Sequence, residues 1–183
     1  MSLNLHQASK NTQKLIPDGT IARVRMSIKK GHYNNSNKGW TGGYAARNPK
    51  SGVVSLRCEA VVLEGEYAHQ HVKYQIGLES PNNDLYQTMG QDLMLGILNS
   101  AHGLMPNDES PEAVKLRDAC DFPDLDGLEF TALIQVKEGT PPYRDSNVIN
   151  FAITPDDERY LPKSPSVKKS KGQTKESVLP EAS

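Results

Sequence analysis

The stretch Thr20–Lys29 reads TIARVRMSIK and indicates a half-buried β-strand. From its third residue onward, apolar side chains alternate with basic or polar ones: Ala22, Val24, Met26 and Ile28 against Arg23, Arg25, Ser27 and Lys29. Successive side chains of a strand point to opposite faces, so one face enters a core while the other presents cations. The stretch therefore predicts a β-rich fold whose first strand has a basic outer face.

Four further stretches continue the two-residue period on the C-terminal side. They cover residues 53–63, 71–78, 128–137 and 148–153. Glycine, proline and asparagine occur between them, and these residues favour turns. The chain thus contains five predicted strands.

The segment between the third and fourth strands has a different period. Apolar residues recur at every fourth position from Leu85 to Ala101, which predicts a helix. Asp84 and Gln87 fit a capping box at its start, and Gly103 is suited to its end. Ser110 and Pro111 are typical of a helix start and predict a second, short helix that runs through Cys120.

Three strands, a helical insertion and two more strands follow one another as in an OB-fold. We therefore expect a mainly β protein with one or two helices, built as a five-stranded OB-fold-like barrel with a helix between strands 3 and 4. Small mixed α+β sheets have the same string of elements and remain an alternative. In an OB-fold, the face of strands 2 and 3 and the loops 1–2 and 4–5 bind oligonucleotides.

The 183 residues suffice for one domain with tails. We expect a flexible N-terminal arm over 1–15, an OB-fold-like domain over 16–160, and a disordered basic tail rich in Lys, Ser and Pro over 161–183. No apolar run is long enough to cross a bilayer, and the first residues lack the features of a signal peptide, which predicts a cytoplasmic protein. Cys58 and Cys120 are too few for a disulfide framework or a four-cysteine zinc site.

The net charge of -1 conceals a strong asymmetry along the chain. Residues 1–50 contain nine basic side chains and one acidic, giving +8, whereas residues 51–160 contain seven and nineteen, giving -12. Residues 161–183 contain five and two, giving +3. Such segregation favours a surface that binds a polyanion, although chance clustering on a solvated surface is the alternative.

Basic and aromatic side chains are interleaved where an OB-fold binds its ligand. Cations neutralise phosphates and flat rings stack on bases, so this combination predicts a site for single-stranded nucleic acid. The candidate residues are Arg23, Arg25, Lys29, Lys30, Tyr33, Lys38, Trp40, Tyr44, Arg47, Lys50, Arg57, Lys73, Tyr143 and Arg144. Two alternatives stay open: Trp40 could pack on the core, and Arg23 and Arg25 could pair across strands with Glu59 or other acids.

Other chemistries have weaker support in the sequence. His69 and His71 could approach Cys58, but no further ligand has the spacing of a zinc site. The acids between Asp121 and Glu129 lack the register of a calcium loop, and no phosphate-binding glycine motif or GxSxG elbow occurs. We therefore expect no enzyme activity, no metal and no cofactor.

Loose motifs give the chain a resemblance to a known family. They are residues 17–20 (PDGT), Ser51-Gly52 before an apolar strand, the helix 91–103, residues 125–130 (LDGLEF), and residues 143–150 (YRDSNVIN) before Tyr160. Over about residues 16–160 the chain resembles phage-borne and mobile-element OB-fold single-stranded DNA-binding proteins.

The resemblance implies sequence-tolerant binding of single-stranded DNA during phage-type replication or recombination. RNA is an alternative ligand, and replication or recombination proteins and further copies of the chain are candidate partners. Many bacterial single-strand binders end in an acidic tip, whereas this tail is lysine-rich. A second hypothesis is a non-enzymatic adaptor that binds a protein through its acidic surface or a sheet edge.

Overall fold

The computed structural model describes residues 14–163, which form a mainly β fold with three helices. Its elements are β1 (Thr20–Lys29), β2 (Tyr33–Asn35), β3 (Trp40–Arg47), β4 (Val54–Val62), β5 (His71–Glu79), α1 (Asp84–His102), α2 (Pro111–Asp118), α3 (Phe122–Leu125), β6 (Glu129–Lys137) and β7 (Ser146–Ile153). None of the helices in this part of the chain is long and apolar enough to span a membrane.

All seven strands belong to one antiparallel sheet, in which β4 is central. Along one edge of β4, residues 54–56 pair with β3 and residues 57–62 pair with β1. The other edge of β4 pairs with β5 over almost its whole length. β6 pairs with the free edge of β1, and β7 follows β6.

The sheet differs from the expected five-stranded barrel in two respects. The predicted loop between the first two strands contains an additional hairpin, β2–β3, turned by a 3-10 segment over Ser36–Lys38 and by Gly39 at φ 72°. The sheet is also open, because the described residues form no ladder between β5 and β7. Helix α1 packs against both of these strands instead.

The core forms where the alternating strands turn their apolar faces toward α1. Val24, Leu56, Ile76 and Phe130 are fully buried, and Ile97 of α1 joins them. Burying each such side chain stabilises the fold by about 1.5–3 kcal/mol. The period-two residues therefore supply most of the core.

The helix boundaries are set by local capping contacts. Asn83, not Asp84, is the N-cap of α1, since its side chain accepts a hydrogen bond from the Leu85 amide at 3.1 Å. Gly103 ends α1 in the left-handed conformation, as predicted. Ser110 caps α2 as predicted, but α2 stops at Asp118 and a separate turn of helix follows.

Ile16 is buried close to the first residue that the structure describes. It is fully buried, and its amide donates to the Asn147 side chain at 2.9 Å. The predicted arm (1–15) and tail (161–183) lie almost entirely outside the described residues and stay predictions.

Candidate nucleic-acid interface

The outer face of β1, β4 and β5 carries four basic side chains, which we call the basic face: Arg25, Lys29, Arg57 and Lys73. Strand register creates this arrangement, because Lys29 lies opposite Arg57 and Arg57 lies opposite Gln75. In the adjacent row, Glu59 lies between Ser27 and Lys73. Arg25, Lys29, Arg57 and Lys73 thus point away from the core, as the alternation of their strands predicts.

Three cations of the basic face converge on one shallow cleft. The cleft has a volume of 280 Å³ and is lined by Lys29, Arg57, Cys58, Lys73, Tyr74 and Gln75. Within the described part of the chain, neither Arg57 nor Lys73 has a carboxylate within ion-pair distance. Their charges are therefore directed to solvent rather than to a protein partner.

The Cys58 thiol beside this cleft has no nucleophilic character at neutral pH. Burial raises its pKa to about 12, and the Asp126 charge acts in the same direction. The cleft thus offers charge and surface, not a reactive group.

Among the residues that the structure describes, Glu59 is the carboxylate that lies in the middle of the basic face. It binds Lys29 Nζ at 2.7 Å and His71 Nδ1 at 2.6 Å. Hydrogen bonds from Lys29 and His71 lower the pKa of the Glu59 carboxyl, so it is ionised at neutral pH. A phosphate that approaches Lys29 must compete with Glu59.

Arg23 and Arg25 both pair with Glu129 across the β1–β6 ladder. Arg25 Nη2 lies 2.5 Å from the carboxylate and Arg23 Nη2 lies 3.5 Å from it. The acid is Glu129 rather than Glu59. Hydrogen bonding from Arg25 lowers the pKa of Glu129. Arg23 is only 5% exposed and donates to the Leu161 carbonyl at 2.8 Å, so we leave it out of the proposed interface.

The two aromatic rings Trp40 and Tyr44 of β3 face the helices. The Tyr44 ring lies 6.4 Å from that of Phe122 in α3, centroid to centroid. Trp40 is half-buried and lines a 430 Å³ groove with Met94 and Leu98 of α1. Both rings pack against the core, which supports the packing interpretation of Trp40.

Three of the remaining candidate cations lie over aromatic rings of the β2–β3 hairpin. Lys30 Nζ is 4.6 Å from the centroid of Tyr44, and Lys38 Nζ is 5.1 Å from that of Trp40. Arg47 lies 5.8 Å from the centroid of Tyr33, and Lys38 also forms an ion pair with Glu79. Lys50 is exposed in the turn that follows β3. Cation–π contacts thus engage Lys30, Lys38 and Arg47 with rings of the hairpin.

The loop before β7 lies close to one end of the basic face. Asp145 and Asn147 line a 390 Å³ cleft together with His71 and Lys73. Tyr143 and Arg144 precede them, and Tyr143 is 79% exposed. Tyr143 is thus an exposed ring two residues before Asp145, which lines the cleft with Lys73.

Lys14 and His71 also belong to this surface, although neither was among the nucleic-acid-binding residues predicted from the sequence. Lys14 lines the same cleft as Lys73, and His71 is an exposed residue of β5. The alternation of His71, Lys73 and Gln75 with Val72, Tyr74 and Ile76 indicates that the His71 side chain points outward.

The described residues contain no group of three or more His, Cys, Asp or Glu side chains that could hold a metal ion. Comparisons of the chain with models of known families, with curated proteins and with solved structures find no match. Hypotheses about function therefore depend on the geometry of this surface.

Proposed function

We propose that this protein binds single-stranded DNA with little sequence preference, through the basic face and the loop that contains Tyr143 and Arg144. The observation that carries the proposal is the convergence of Lys29, Arg57 and Lys73 on one open cleft. Three cations within one cleft match the repeated charge of a phosphate backbone.

An OB-fold-like architecture is the second part of the proposal. It is supported by the path β5-β4-β1-β6-β7, which has the strand neighbours of an OB-fold when β2 and β3 are treated as an insertion in its first loop. In that assignment β4 and β5 are the strands whose outer face binds oligonucleotides. Arg57 and Lys73 of the basic face lie on these two strands, and Arg25 and Lys29 lie on the neighbouring β1.

The binding is expected to rely on charge more than on stacking. Arg57 and Lys73 are exposed, whereas Trp40 and Tyr44 pack against the core. Tyr143 is an exposed ring in the loop that leads to the cleft lined by Lys73. The resemblance to phage-borne proteins suggests strand protection during replication or recombination as the setting.

Oligonucleotide binding across a salt series tests the proposal. Each phosphate contact contributes about -0.7 to the slope of log affinity against log salt for single strands, so three to five contacts give about -2 to -3.5. Lys73→Gln should reduce the magnitude of the slope by about 0.7. No retention of a labelled oligonucleotide at low salt would overturn the proposal.

Lys115→Gln is the matched control for Lys73→Gln. Lys115 is an exposed lysine of α2, in an acidic part of the chain, and has no described ion pair. Like Lys73→Gln, this substitution removes one lysine charge, but in α2 rather than in β5. It should leave the slope of log affinity against log salt unchanged. Equal effects of the two variants would mean that net charge, not the basic face, governs binding.

The adaptor hypothesis is favoured by a separate observation. Leu85 and Met89 of α1 and Phe151 of β7 are each more than half exposed. Exposed apolar clusters are typical of protein-binding surfaces. Co-purification of a stoichiometric protein partner, together with no oligonucleotide retention, would support this second function.

A further inference from the structure

A second cleft adjoins the one that Lys29, Arg57 and Lys73 line. It has a volume of 390 Å³, and its polar lining consists of Lys14, His71, Lys73, Asp145, Ser146 and Asn147. We call it the loop cleft, and the first one the strand cleft. Lys73 lines both of them, so the two clefts meet at this side chain.

Lys14 reaches the loop cleft because the chain next to it is tied to β7. Ile16 is fully buried, and its amide donates to Asn147 Oδ1 at 2.9 Å. Asn147 Nδ2 donates in turn to the Ile16 carbonyl at 2.7 Å. Two hydrogen bonds with one side chain thus fix the backbone two residues after Lys14, whereas Lys14 itself is exposed.

The loop cleft has an excess of positive charge. Among the residues that the structure describes, neither Lys14 nor Lys73 has a carboxylate within ion-pair distance. His71 lines the cleft as well, and its Nδ1 lies 2.6 Å from the Glu59 carboxylate. Asp145 is the acid in the lining, and its Oδ1 accepts a hydrogen bond from the Gly139 amide at 2.9 Å. Two lysines therefore face one aspartate.

The lining also has the hydrogen-bonding groups that a phosphate uses. Ser146 is exposed at the start of β7, and its hydroxyl can donate to a phosphate oxygen. Lysine and serine side chains are common donors to the phosphates of nucleic acids. An anion in the loop cleft would thus meet two cations and a hydroxyl.

We propose that the loop cleft is a second phosphate subsite of the DNA interface, with Lys14 and Lys73 as its cations and Ser146 as a donor. This inference rests on the proposed function and adds to it the path of the bound strand. The strand runs from the strand cleft on β1, β4 and β5, over Lys73, toward the loop that leads into β7. An oligonucleotide long enough to fill both clefts gains the contacts of both, since the first contact raises the effective concentration of phosphates at the second.

Lys14→Gln in the full chain tests this subsite, with labelled oligothymidines of about 4 to 16 nucleotides, the range of site sizes of OB-folds. For the longest oligonucleotide, the slope of log affinity against log salt should lose about 0.7 in magnitude. Each tenfold dilution of salt should then strengthen the wild type about fivefold more than the variant. The shortest oligonucleotide should bind both proteins almost equally, because the strand cleft is intact.

Lys115→Gln is the control for this substitution, since it removes one exposed lysine from α2. It should leave affinity at every length unchanged, and a loss equal to that of Lys14→Gln would overturn the inference. A Lys14→Gln loss of the same size at every length would also overturn the division into two subsites. Thermal unfolding of each variant checks that the fold is retained.

Asp145→Asn is a second, opposite test. The amide keeps an oxygen that can accept from the Gly139 amide and removes only the negative charge. It should strengthen binding of the longest oligonucleotide, because a phosphate in the loop cleft no longer faces a carboxylate. Unchanged or weaker binding would contradict a phosphate at this position.

The outcomes separate this inference from the proposed function. If Lys73→Gln weakens binding while Lys14→Gln equals the wild type at every length, the inference is wrong and the basic face is upheld. If the wild type does not retain an oligonucleotide at low salt, both fail.

Discussion

Gly90 of α1 lies directly against the backbone of Gly77 in β5. A Cβ atom added at Gly90 would overlap the Gly77 carbonyl, and one added at Gly77 would meet the Tyr86 carbonyl oxygen at 2.5 Å. Helix and strand approach this closely because neither residue has a side chain. The contact seats α1 against the open edge of β5, where the sheet has no further strand.

We expect Gly90→Ala to destabilise the protein by about 1–3 kcal/mol through overpacking, although alanine favours helices over glycine by about 1 kcal/mol. Gly96→Ala is the control within the same helix, since its added Cβ would lie 3.5 Å from the Ala152 Cβ, an ordinary contact. That variant should be as stable as the wild type or more so. Urea unfolding measures both, and similar stabilities would refute the close contact.

Glu59→Gln should strengthen binding of single-stranded DNA. The change removes the carboxylate that competes for Lys29, and an additional phosphate contact would increase the magnitude of the salt slope by about 0.7. Glu79→Gln is the control, since Glu79 pairs with Lys38 of the hairpin, outside the basic face. Weaker or unchanged binding by Glu59→Gln would contradict the assignment of Lys29 to the interface.

The stability contributed by Glu59 should depend on pH. Its pKa is lower in the folded state because Lys29 and His71 donate to the ionised form. The contribution is therefore complete above the unfolded-state value of about 4.3 and is lost as pH falls through the lowered folded-state value. Wild type and Glu59→Gln should differ in urea midpoint at pH 6 and converge as pH falls below the lowered folded-state pKa of Glu59. A constant difference would exclude this linkage.

Substitutions of Trp40 and Tyr143 should distinguish a residue needed for stability from a residue needed for DNA binding. Trp40→Ala should lower the free energy of unfolding by about 2 kcal/mol, because the half-buried ring packs on the core. Tyr143→Ala should leave stability within about 0.5 kcal/mol and weaken oligonucleotide affinity by about 1–3 kcal/mol if its exposed ring stacks on a base. Trp40 fluorescence should change on unfolding; a large change on DNA binding would restore Trp40 to the interface.

The regular strands could be read from the sequence because burial on one face imposes a two-residue period. The first strand was predicted at Thr20–Lys29 and is observed there, and the second and third differ by no more than one residue at either end. The β2–β3 hairpin was missed because its glycine and asparagine residues carry no alternation. Its strands are specified by pairing, such as Tyr33 with Ala45, which no local pattern reveals.

Long-range partners explain what the sequence could not assign in the site. Alternation predicted that Arg25, Lys29, Arg57 and Lys73 point outward, but not that Glu129, over 100 positions after Arg25, meets the first strand. By alternation Arg23 lies on the same face of β1 as Arg25. Arg23 is nevertheless buried, and its guanidinium donates to the Leu161 carbonyl. Sequence spacing predicts the face of a strand and leaves open what lies over that face.

The dependence of β1 on β6 has a consequence for synthesis of the chain. β4 and β5 can pair beside β1 as soon as residue 79 has emerged from the ribosome, but the second edge of β1 must wait for residues 129–134. For that interval the nascent protein exposes an unpaired strand edge, which invites association with other chains. Arg23 and Arg25 place two like charges on that strand, so we expect repulsion between copies to disfavour association until Glu129 arrives and pairs with both.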